Sequence, residues 1–518
     1  MLRRLVARFR PKRVTIQAIA FRFSIRAEYL AGLPWHDSFY LPIKASLTRQ
    51  ITTFALNSLS TIHAIHACNV PHFFYNTLKN IVLTAGWLLL GTSVLPAQHT
   101  YRILNDERES LQCRIDQMQQ ADQEILLTTF IIKDDLIGRS TLQMLIDAAE
   151  RGVQVRMIVD DLGNRLPSDL LAYLAERGVE NRIFNITRYY KFRTMVDRMH
   201  GKMLITDQRQ FIIGGRNLKE EYYNLDSTSN FLDREVYVRD TGAVGTARRH
   251  FYDVWNYPRV SGKKEGKLTD ERRSYWRKSL REAPGILRQR LRISLESERK
   301  WHQGAVSAKQ PVHFIHDGFY EKKGKKTVRR RRKDHQCTEA MLALIAGAQR
   351  TIDIENAYFI PTRSWTRALK AAHKRGVRLR LLTNSGYTSD VPMVQAVYQM
   401  KRGRYKRWGV EIWEFRGQKM VHTKAFVIDS AISLIGSYNL ESKSQNFNTE
   451  VAAWVKDPRL AAEHTRLMEN NLQRSVQFRG KVKETRADVP PLTKLQKKRQ
   501  RKANFFQYTL APLVSFFI

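Results

Sequence analysis

The sequence predicts an α/β protein built from two copies of one unit. One observation is a duplicated motif: the run His200-Gly-Lys-Met-Leu-Ile-Thr-Asp207 returns 222 positions later as His422-Thr-Lys-Ala-Phe-Val-Ile-Asp429. In both copies His, Lys, Asp, Gly and Asn hold offsets 0, 2, 7, 14 and 17. The other observation is that each half runs through strand-like and helix-like segments in the same order. A lone His-x-Lys pair is usually structural, whereas two matched copies predict one shared site.

Each half begins with an apolar strand and a helix that ends in Arg-Gly, at Gly152 and at Gly376. A second apolar strand follows the glycine, at 157–159 in the first half and at 379–382 in the second. The motif then reads as two apolar strands joined by a tight turn, because apolar residues flank the Asp on both sides. In α/β proteins such strands are covered by helices on both faces.

The polar residues of the two motifs describe an anion site. His and Lys two residues apart on a strand point to the same side, and with the Asn amide they fit a phosphate. The residues in question are His200, Lys202, Asn217, His422, Lys424 and Asn439. Because a free imidazole titrates near pH 6.5, one histidine can be the nucleophile while the other, protonated, is the acid. No metal and no cofactor is required, since the lysines and asparagines would hold the charge of the phosphate oxygens.

The motifs resemble those of the phospholipase D superfamily, and more closely those of its bacterial cardiolipin synthase branch. The resemblance rests on MHGK and IIGGRN in the first half and on YFIPTR, LLTNS, VHTK, GSYN and SKSQNFNTE in the second. It covers about residues 104–472. It implies a pseudo-twofold bilobal fold, two α/β/α lobes with the active site at their interface. It also implies a metal-independent enzyme that transfers a phosphatidyl group from a phospholipid to an alcohol or to water.

The resemblance assigns roles to individual residues. His200 would be the nucleophile, and His422 the acid and base. Glu450 matches the family's Asn-Thr-Glu acid, which helps to orient a histidine. In the first half Asp233 and Glu235 both fit that role, and the sequence does not choose between them.

The remaining motif residues receive supporting roles. Asp207 and Asp429 are expected to brace the fold and the histidines without touching substrate. Gly215 stands where the family more commonly has Ser, as Ser437 does in the second half. The synthase branch tolerates Gly-Gly-Arg-Asn at this point, so the departure does not predict an inactive first half.

The chain is strongly basic, with 88 Lys and Arg against 49 Asp and Glu and a net charge of +39. Such a charge attracts polyanions, whether anionic membranes or nucleic acid. A basic bridge at 259–336 is either a solvated loop or a rim that contacts phospholipid headgroups. A basic cluster at 494–502 leads into an apolar end at 505–518 that is too short to span a bilayer. This end predicts interfacial membrane association, and a cap on one lobe is the alternative.

The N-terminal part shows no resemblance to the family. Its first 27 residues are Arg-rich and contain no Asp or Glu, as in organelle-targeting segments, and 81–97 resembles an export signal or a short membrane anchor. The three cysteines are scattered, which predicts neither a disulfide framework nor a zinc site. The predicted divisions are a basic N-terminal extension at 1–105, a first lobe at 106–258, the basic bridge at 259–336, a second lobe at 337–475 and a basic tail at 476–518.

Three classes of function fit parts of the sequence. A phosphatidyl-transferring enzyme accounts for the motifs and the apolar end, and the resemblance favours cardiolipin synthesis from phosphatidylglycerol or a related phospholipid over hydrolysis to phosphatidic acid. A nuclease of the same superfamily accounts for the motifs and the charge, and a non-catalytic binder accounts for the charge alone. We expect a monomer with a phospholipid substrate and an anionic membrane as partners, and no nucleic acid. We expect it at a bacterial inner membrane or exported to the periplasm, with organelle targeting or secretion as the alternative.

Overall fold

The computed structural model describes residues 99–187, 195–262, 266–291, 306–308, 310–321, 331–480, 493–509 and 511. These belong to one unit, Ala97–Ile518. The apolar segment at 81–97 lies outside the described residues, and so does most of the apolar end at 505–518.

The first half supplies one large mixed sheet. Its strands are β1 His99–Leu104, β2 Glu124–Thr129, β3 Ile132–Lys133, β4 Gln154–Asp160, β5 Asn164–Arg165, β6 Val179–Phe184, β7 Lys202–Thr206, β8 Gln210–Gly214, β9 Phe231–Leu232, β10 Glu235–Arg239, β11 Val260–Ser261 and β12 Val306–Ala308. Nine of them form the first sheet, in the order β11-β6-β4-β2-β7-β8-β10-β1-β12. β2, β4 and β6 are parallel, whereas β7, β8 and β10 follow in antiparallel pairs.

The second half supplies a sheet of the same design. Its strands are β13 His313–His316, β14 Phe319–Glu321, β15 Arg331–Lys333, β16 Thr351–Asn356, β17 Arg378–Asn384, β18 Val410–Phe415, β19 Met420–Val421, β20 Lys424–Ile428, β21 Ile432–Gly436, β22 Val451–Lys456 and β23 Ser475–Gln477. Eight of them form the second sheet, in the order β13-β22-β21-β20-β16-β17-β18-β23. β16, β17 and β18 are parallel, and β20, β21 and β22 are antiparallel.

The two sheets share one topology. The six strands β6-β4-β2-β7-β8-β10 correspond in order and direction to β18-β17-β16-β20-β21-β22. The duplication in the sequence is therefore a duplication of the fold, and the predicted pseudo-twofold α/β architecture is confirmed.

Helices cover both sheets. They are α1 Glu107–Gln120, α2 Leu136–Glu150, α3 Ser168–Glu176, α4 Thr241–Trp255, α5 Asp270–Leu291, α6 Gln336–Gly347, α7 Arg363–Lys374, α8 Pro392–Arg407, α9 Ser442–Asn446, α10 Pro458–Leu472 and α11 Lys494–Tyr508, with a 3-10 helix at Glu220–Tyr223. Asp side chains cap the N-termini of α1, α2, α4 and α10 by accepting backbone N–H groups. Within the part of the chain that the structure describes, no helix is long and apolar enough to cross a bilayer.

The repeated Arg-Gly-Val sequence ends one helix in each lobe. Gly152 and Gly376 adopt φ of 90° and 89°, a left-handed conformation that favours glycine. The preceding Arg151 donates to the carbonyl of Met118 at 2.9 Å, and Arg375 donates to the carbonyl of Ile345 at 3.2 Å. The motif therefore closes one helix and ties it to the end of the previous one.

Alternate residues of the central strands face two different apolar layers. Ile125 and Leu127 lie in a core under α1 and α2, whereas Leu126 lies in a second core with α4. This second core also contains Ala425, Ile435 and other residues of the second sheet. One continuous apolar layer thus joins the two lobes and fixes their relative position.

Three segments beyond the predicted lobe boundaries contribute to the sheets or to the cores. β1, assigned to the N-terminal extension, pairs along its length with β10 and is a half-buried strand of the first sheet. The predicted bridge supplies edge strands to both sheets through β12 and β13, and its helix α5 buries Trp276 and Leu280 in the first core. The basic tail at 476–518 contributes the last two residues of β23, Val476 and Gln477, to the second sheet. Edge strands of low apolar content give little signal in a sequence, because only one face or one end is buried.

The motif Asp closes each hairpin. Asp207 and Asp429 adopt left-handed φ of 53° and 54°, a conformation that Asp tolerates better than most residues. The Asp207 carboxylate accepts the backbone N–H groups of residues 122–124 at 2.9 to 3.2 Å. The Asp429 carboxylate accepts those of residues 349–351 at 2.7 to 2.9 Å. Each Asp thus ties its hairpin to the start of the neighbouring strand.

We predict that Asp207→Ala destabilises the fold. It leaves three N–H groups without their acceptor and puts Ala in a left-handed turn, so the free energy of unfolding should fall by about 2–4 kcal/mol. Asp429→Ala should cost a similar amount. The control is Asp270→Ala, because the Asp270 side chain is 99% exposed. Chemical denaturation that shows all three variants within experimental error of one another would contradict the bracing role.

Candidate active site

Each motif histidine is brought to the other lobe by a short backbone pairing. Met199 forms a parallel bridge with Thr449, and the His200 N–H donates to the Thr449 carbonyl at 3.0 Å. In the other lobe β19 pairs with β9, and the His422 N–H donates to the Leu232 carbonyl at 2.7 Å. Both histidines therefore stand where one lobe meets the other.

His200 is held by Glu450 of the second lobe. Its Nδ1 lies 2.9 Å from Glu450 Oε2, and the carboxylate also accepts hydrogen bonds from Ser437 at 2.5 Å and Ser444 at 2.7 Å. Burial by itself would raise the pKa of Glu450, but the attraction of His200 and Lys202 outweighs it and lowers that pKa to about 2. An ionised carboxylate can only accept, so Nδ1 of His200 carries the proton and Nε2 keeps its lone pair.

His422 is held by Asp233 of the first lobe, with Nδ1 and Oδ2 2.6 Å apart. The strand register makes this acid equivalent to Glu450, because Gly214 pairs with Glu235 as Gly436 pairs with Ala452. Glu235, the other candidate, accepts hydrogen bonds from Ser110 and Arg114 in a buried cluster away from the histidines. Of the two acids that the sequence left open, only Asp233 contacts a histidine.

Gly215 makes room for Asp233. A Cβ at position 215 would lie 2.3 Å from Asp233 Oδ1, which is far inside contact distance. At the matching position Ser437 keeps its side chain and donates to Glu450. The first half therefore has Gly instead of Ser at position 215, next to Asp233, which is shorter than Glu450 and orients His422.

Lys202 and Lys424 are buried beneath the histidines. Lys202 Nζ donates to the His200 carbonyl at 2.5 Å, and Lys424 Nζ donates to the His422 carbonyl and lies 2.7 Å from its Nδ1. Burial lowers the pKa of Lys202 to about 7 and that of Lys424 to about 8. Two poorly solvated cations at one place favour the binding of an anion between them.

The motif asparagines are partly used by the fold. Asn217 accepts the Ile131 N–H at 3.0 Å and donates to the Tyr222 hydroxyl at 2.8 Å, which leaves one N–H of its amide. Asn439 donates to Glu441 at 3.4 Å, and its Oδ1 is buried without a partner among the described residues. Burial raises the pKa of Glu441 to about 7.

Both histidines have lowered pKa values, which differs from the expectation of one neutral and one protonated ring. Burial lowers the pKa of His200 to about 4, against the attraction of Glu450. Burial also lowers the pKa of His422 well below its usual value, and Lys424 and Lys202 lower it further by repulsion. A phosphate anion beside the rings would oppose both effects, because it attracts the protonated form.

Sequence reasoning missed two aromatic residues and a serine in this site. The Tyr222 hydroxyl lies 3.3 Å from Nε2 of His422, and the Phe130 ring meets the His200 ring edge-on at 5.3 Å. Ser444 supports Glu450. Tyr222 and Ser444 each follow the motif Asn by five residues, an offset that could have indicated them.

Known proteins resemble this chain in sequence and in fold. A family model described as cardiolipin synthase, PLD-like (phospholipase D-like) domain matches residues 114–255 and 341–472, more than half of the chain. Cardiolipin synthase C of Escherichia coli (strain K12) is 25% identical over 412 residues, which cover 72% of this chain and 86% of that protein. Cardiolipin synthase 2 of Bacillus anthracis is 27% identical over 374 residues, 71% of this chain and 63% of that protein. The crystal structure of phosphatidylserine synthase from Haemophilus influenzae Rd KW20 has a similar fold, with a TM-score of 0.56 and 16% identity over 81% of this chain and 95% of that one.

We predict that His200 makes stability depend on pH. The unfolded chain takes up this proton near pH 6.5 and the folded chain near pH 4, so the free energy of unfolding falls as the pH drops between these values. The slope due to one proton is at most about 1.4 kcal/mol per pH unit. Denaturation at pH 6.5 and pH 5 should show a smaller slope in His200→Gln than in the wild type. The control Phe130→Leu, which changes the neighbouring ring but no titrating group, should keep the wild-type slope, and an unchanged slope in His200→Gln would contradict the assignment.

Proposed function

This chain belongs to the family of cardiolipin synthase, phospholipase D-like domains, and we propose that it transfers a phosphatidyl group through a phosphohistidine on His200. The reaction we favour is cardiolipin synthesis, in which a hydroxyl of one phosphatidylglycerol takes the phosphatidyl group of another and glycerol leaves. Hydrolysis to phosphatidic acid is the alternative, since water can replace the alcohol. Family membership and the relatives named cardiolipin synthase support the choice of substrate.

The observation that carries this proposal is that each lobe supplies the carboxylate that orients the histidine of the other lobe. Glu450 orients His200, Asp233 orients His422, and Lys202 and Lys424 lie buried beside them. Both halves therefore contribute to one site, which suits a single phosphodiester and a monomeric enzyme. The free lone pair on Nε2 of His200 supports its role as nucleophile.

The reaction takes two steps. In the first, Nε2 of His200 attacks phosphorus, a P–N bond forms, and the P–O bond to the leaving alcohol breaks as protonated His422 gives that oxygen its proton. In the second, His422 removes the proton of the acceptor hydroxyl, whose oxygen attacks phosphorus, and the P–N bond breaks. Lys202 and Lys424 stabilise the charge on the phosphate oxygens, a task that metal ions perform in other phosphoryl-transfer enzymes.

The proposed partner is an anionic phospholipid bilayer, at a bacterial inner membrane or on its periplasmic side. The net charge of +39 supports this, because basic surfaces bind anionic lipids. The same charge would bind nucleic acid, so binding does not separate the phosphatidyltransferase from a nuclease. The products of turnover distinguish these two activities.

We predict that the purified protein converts phosphatidylglycerol vesicles in excess EDTA to cardiolipin and glycerol, or to phosphatidic acid if water is the acceptor. His200→Ala should make no product. His422→Ala should still form phosphohistidine from a nitrophenyl phosphodiester, whose leaving group needs no proton, while losing about 10²–10⁴-fold on the natural lipid. Digestion of the radiolabelled protein at alkaline pH, where the P–N bond survives, locates the label.

Three outcomes would overturn parts of this proposal. Label on residue 422 would reverse the roles of the two histidines. Loss of activity in EDTA with recovery in Mg²⁺ would remove the electrostatic role given to the lysines. Cleavage of DNA that is lost in His200→Ala, with lipids untouched, would make the protein a nuclease.

A further inference from the structure

The C-terminal helix α11 is docked on the protein by one face. Thr493 and Gln496 form a capping box at its start, and the Gln496 side chain donates to the Gly417 carbonyl at 2.9 Å. Gln496 and Ala503 are buried, and Phe506 packs on the core of the second lobe. The part of the tail that the sequence predicted as a membrane anchor therefore begins as a fixed element of the fold.

The opposite face of α11 is basic and aromatic. It exposes Lys494, Lys497, Lys498, Arg501 and Lys502. No Asp or Glu occurs between residues 493 and 509. At its end Phe505 is 61% exposed and Tyr508 is 80% exposed, and Phe505 lies in a groove with Pro392 and the basic residues.

Arg499 ties this helix to both lobes beside the candidate site. Its guanidinium donates to Ser229 of the first lobe at 2.7 Å and to the Thr388 carbonyl of the second lobe at 3.3 Å. Ser229 lies four residues before Asp233, the acid that holds His422. The exposed face of α11 thus has a fixed position relative to the reacting groups.

We propose that the exposed face of α11 docks the enzyme on anionic phospholipid bilayers and sets the orientation of the site toward them. This inference rests on the proposed function. The five cations contact lipid phosphates, and Phe505 and Tyr508 enter the boundary between headgroups and acyl chains. Cations alone would suit nucleic acid equally, whereas two exposed aromatic side chains at the end of a basic helix gain most from an apolar boundary.

The test compares two triple variants of the full chain. Lys498→Gln, Arg501→Gln and Lys502→Gln remove three charges from the exposed face, and Arg277→Gln, Lys278→Gln and Arg281→Gln remove three exposed charges from α5. Sedimentation with phosphatidylcholine vesicles containing phosphatidylglycerol should show binding weaker by about 100-fold in the first variant. The α5 control should stay within a few-fold of the wild type. A third variant, Phe505→Ser with Tyr508→Ser, should weaken binding at high salt, where the charge is screened.

Turnover of a soluble and of a vesicle-bound substrate distinguishes a loss of membrane docking from a loss of catalysis. A short-chain phosphatidylglycerol below its micelle concentration should be processed equally by the wild type and both triple variants, whereas turnover of vesicle lipid should fall only in the α11 variant. Equal losses of vesicle binding in both triple variants would overturn the docking face. An α11 variant that loses binding to DNA but keeps the wild-type binding to vesicles would overturn it as well. If the wild type turns over no lipid, the proposed function fails while the vesicle-binding result still decides the docking face.

A second observation concerns Tyr222 in the 3-10 helix of the first lobe. Its hydroxyl accepts a hydrogen bond from Asn217 at 2.8 Å and lies 3.3 Å from Nε2 of His422, whose ring it meets edge-on at 5.1 Å. Burial keeps the pKa of Tyr222 well above its usual value. The phenol therefore stays protonated and donates a hydrogen bond to Nε2, while Nδ1 of His422 donates one to Asp233.

The other histidine has a different environment. At the matching position Ser444 donates to Glu450, on the Nδ1 side of His200. No hydroxyl of the described residues lies at hydrogen-bond distance from Nε2 of His200. Both rings thus meet a carboxylate at Nδ1, and of the two only His422 meets a hydroxyl of the described residues at Nε2.

We infer that Tyr222 is a positioning residue that makes the two histidines unequal. While His422 is neutral, the hydroxyl occupies its Nε2 and blocks that nitrogen as a nucleophile, which leaves His200 as the ring that attacks phosphorus. This inference also rests on the proposed function.

Tyr222→Phe tests it by removing the hydroxyl and keeping the ring. A donor to Nε2 favours the neutral ring, so its loss should raise the pKa of His422, which burial and then the charges of Lys424 and Lys202 otherwise hold down. NMR titration measures this without any turnover. In the phosphohistidine experiment, part of the label should now appear on His422. The control is Tyr223→Phe, because the Tyr223 hydroxyl is buried without a hydrogen-bond partner in the described part of the chain.

Two results would overturn the role of Tyr222. One is an unchanged pKa of His422 in Tyr222→Phe. The other is an equal effect of Tyr223→Phe, which would indicate a general loosening of the 3-10 helix. A protein without lipid turnover would refute the proposed function, and the NMR comparison would still report on the hydrogen bond.

Discussion

The candidate site depends on one constraint, that each motif histidine is oriented by a carboxylate of the other lobe. The Met199–Thr449 bridge and the β9–β19 pair bring the backbones together, and Glu450 and Asp233 then reach across. A single lobe would hold a histidine without its acid. The apolar layer shared by both sheets, with the buried Arg234–Glu355 ion pair across it, therefore determines the chemistry as well as the stability.

The candidate site buries four side chains that can carry positive charge. Lys202, Lys424 and both histidines lie in a poorly solvated space, and burial lowers the pKa of each. While both rings are neutral, the carboxylates of Glu450 and Asp233 balance the charges of Lys202 and Lys424. Since an anion would restore the protonated forms, binding of a phosphodiester and uptake of protons should be linked. The proposed phosphodiester would therefore stabilise the protonated site.

The two lobes are alike in scaffold and unlike in detail. Both close the motif hairpin with a left-handed Asp, and both end a helix with Arg-Gly. Near the histidines, however, Gly215 accompanies Asp233 where Ser437 accompanies Glu450, and Tyr222 stands where the other lobe has Ser444. A duplicated frame gives two equal halves, and these few side chains are what can assign different tasks to the two rings.

The sequence by itself determined the family, the α/β class, the duplication and the motif residues, because local periodicity and fixed offsets are written along the chain. Gly152 and Gly376 act within their own turns and Asp207 lies in one, so their positions were readable, although the partners of the Asp207 carboxylate were not. Only the tertiary structure decided what depends on contacts between distant segments. It separated Asp233 from Glu235 by strand register, paired each acid with the opposite histidine, made β1 a strand of the first sheet, and turned residues 494–508 into a docked helix. No local pattern encodes these, since each depends on which segments the shared apolar layer brings together.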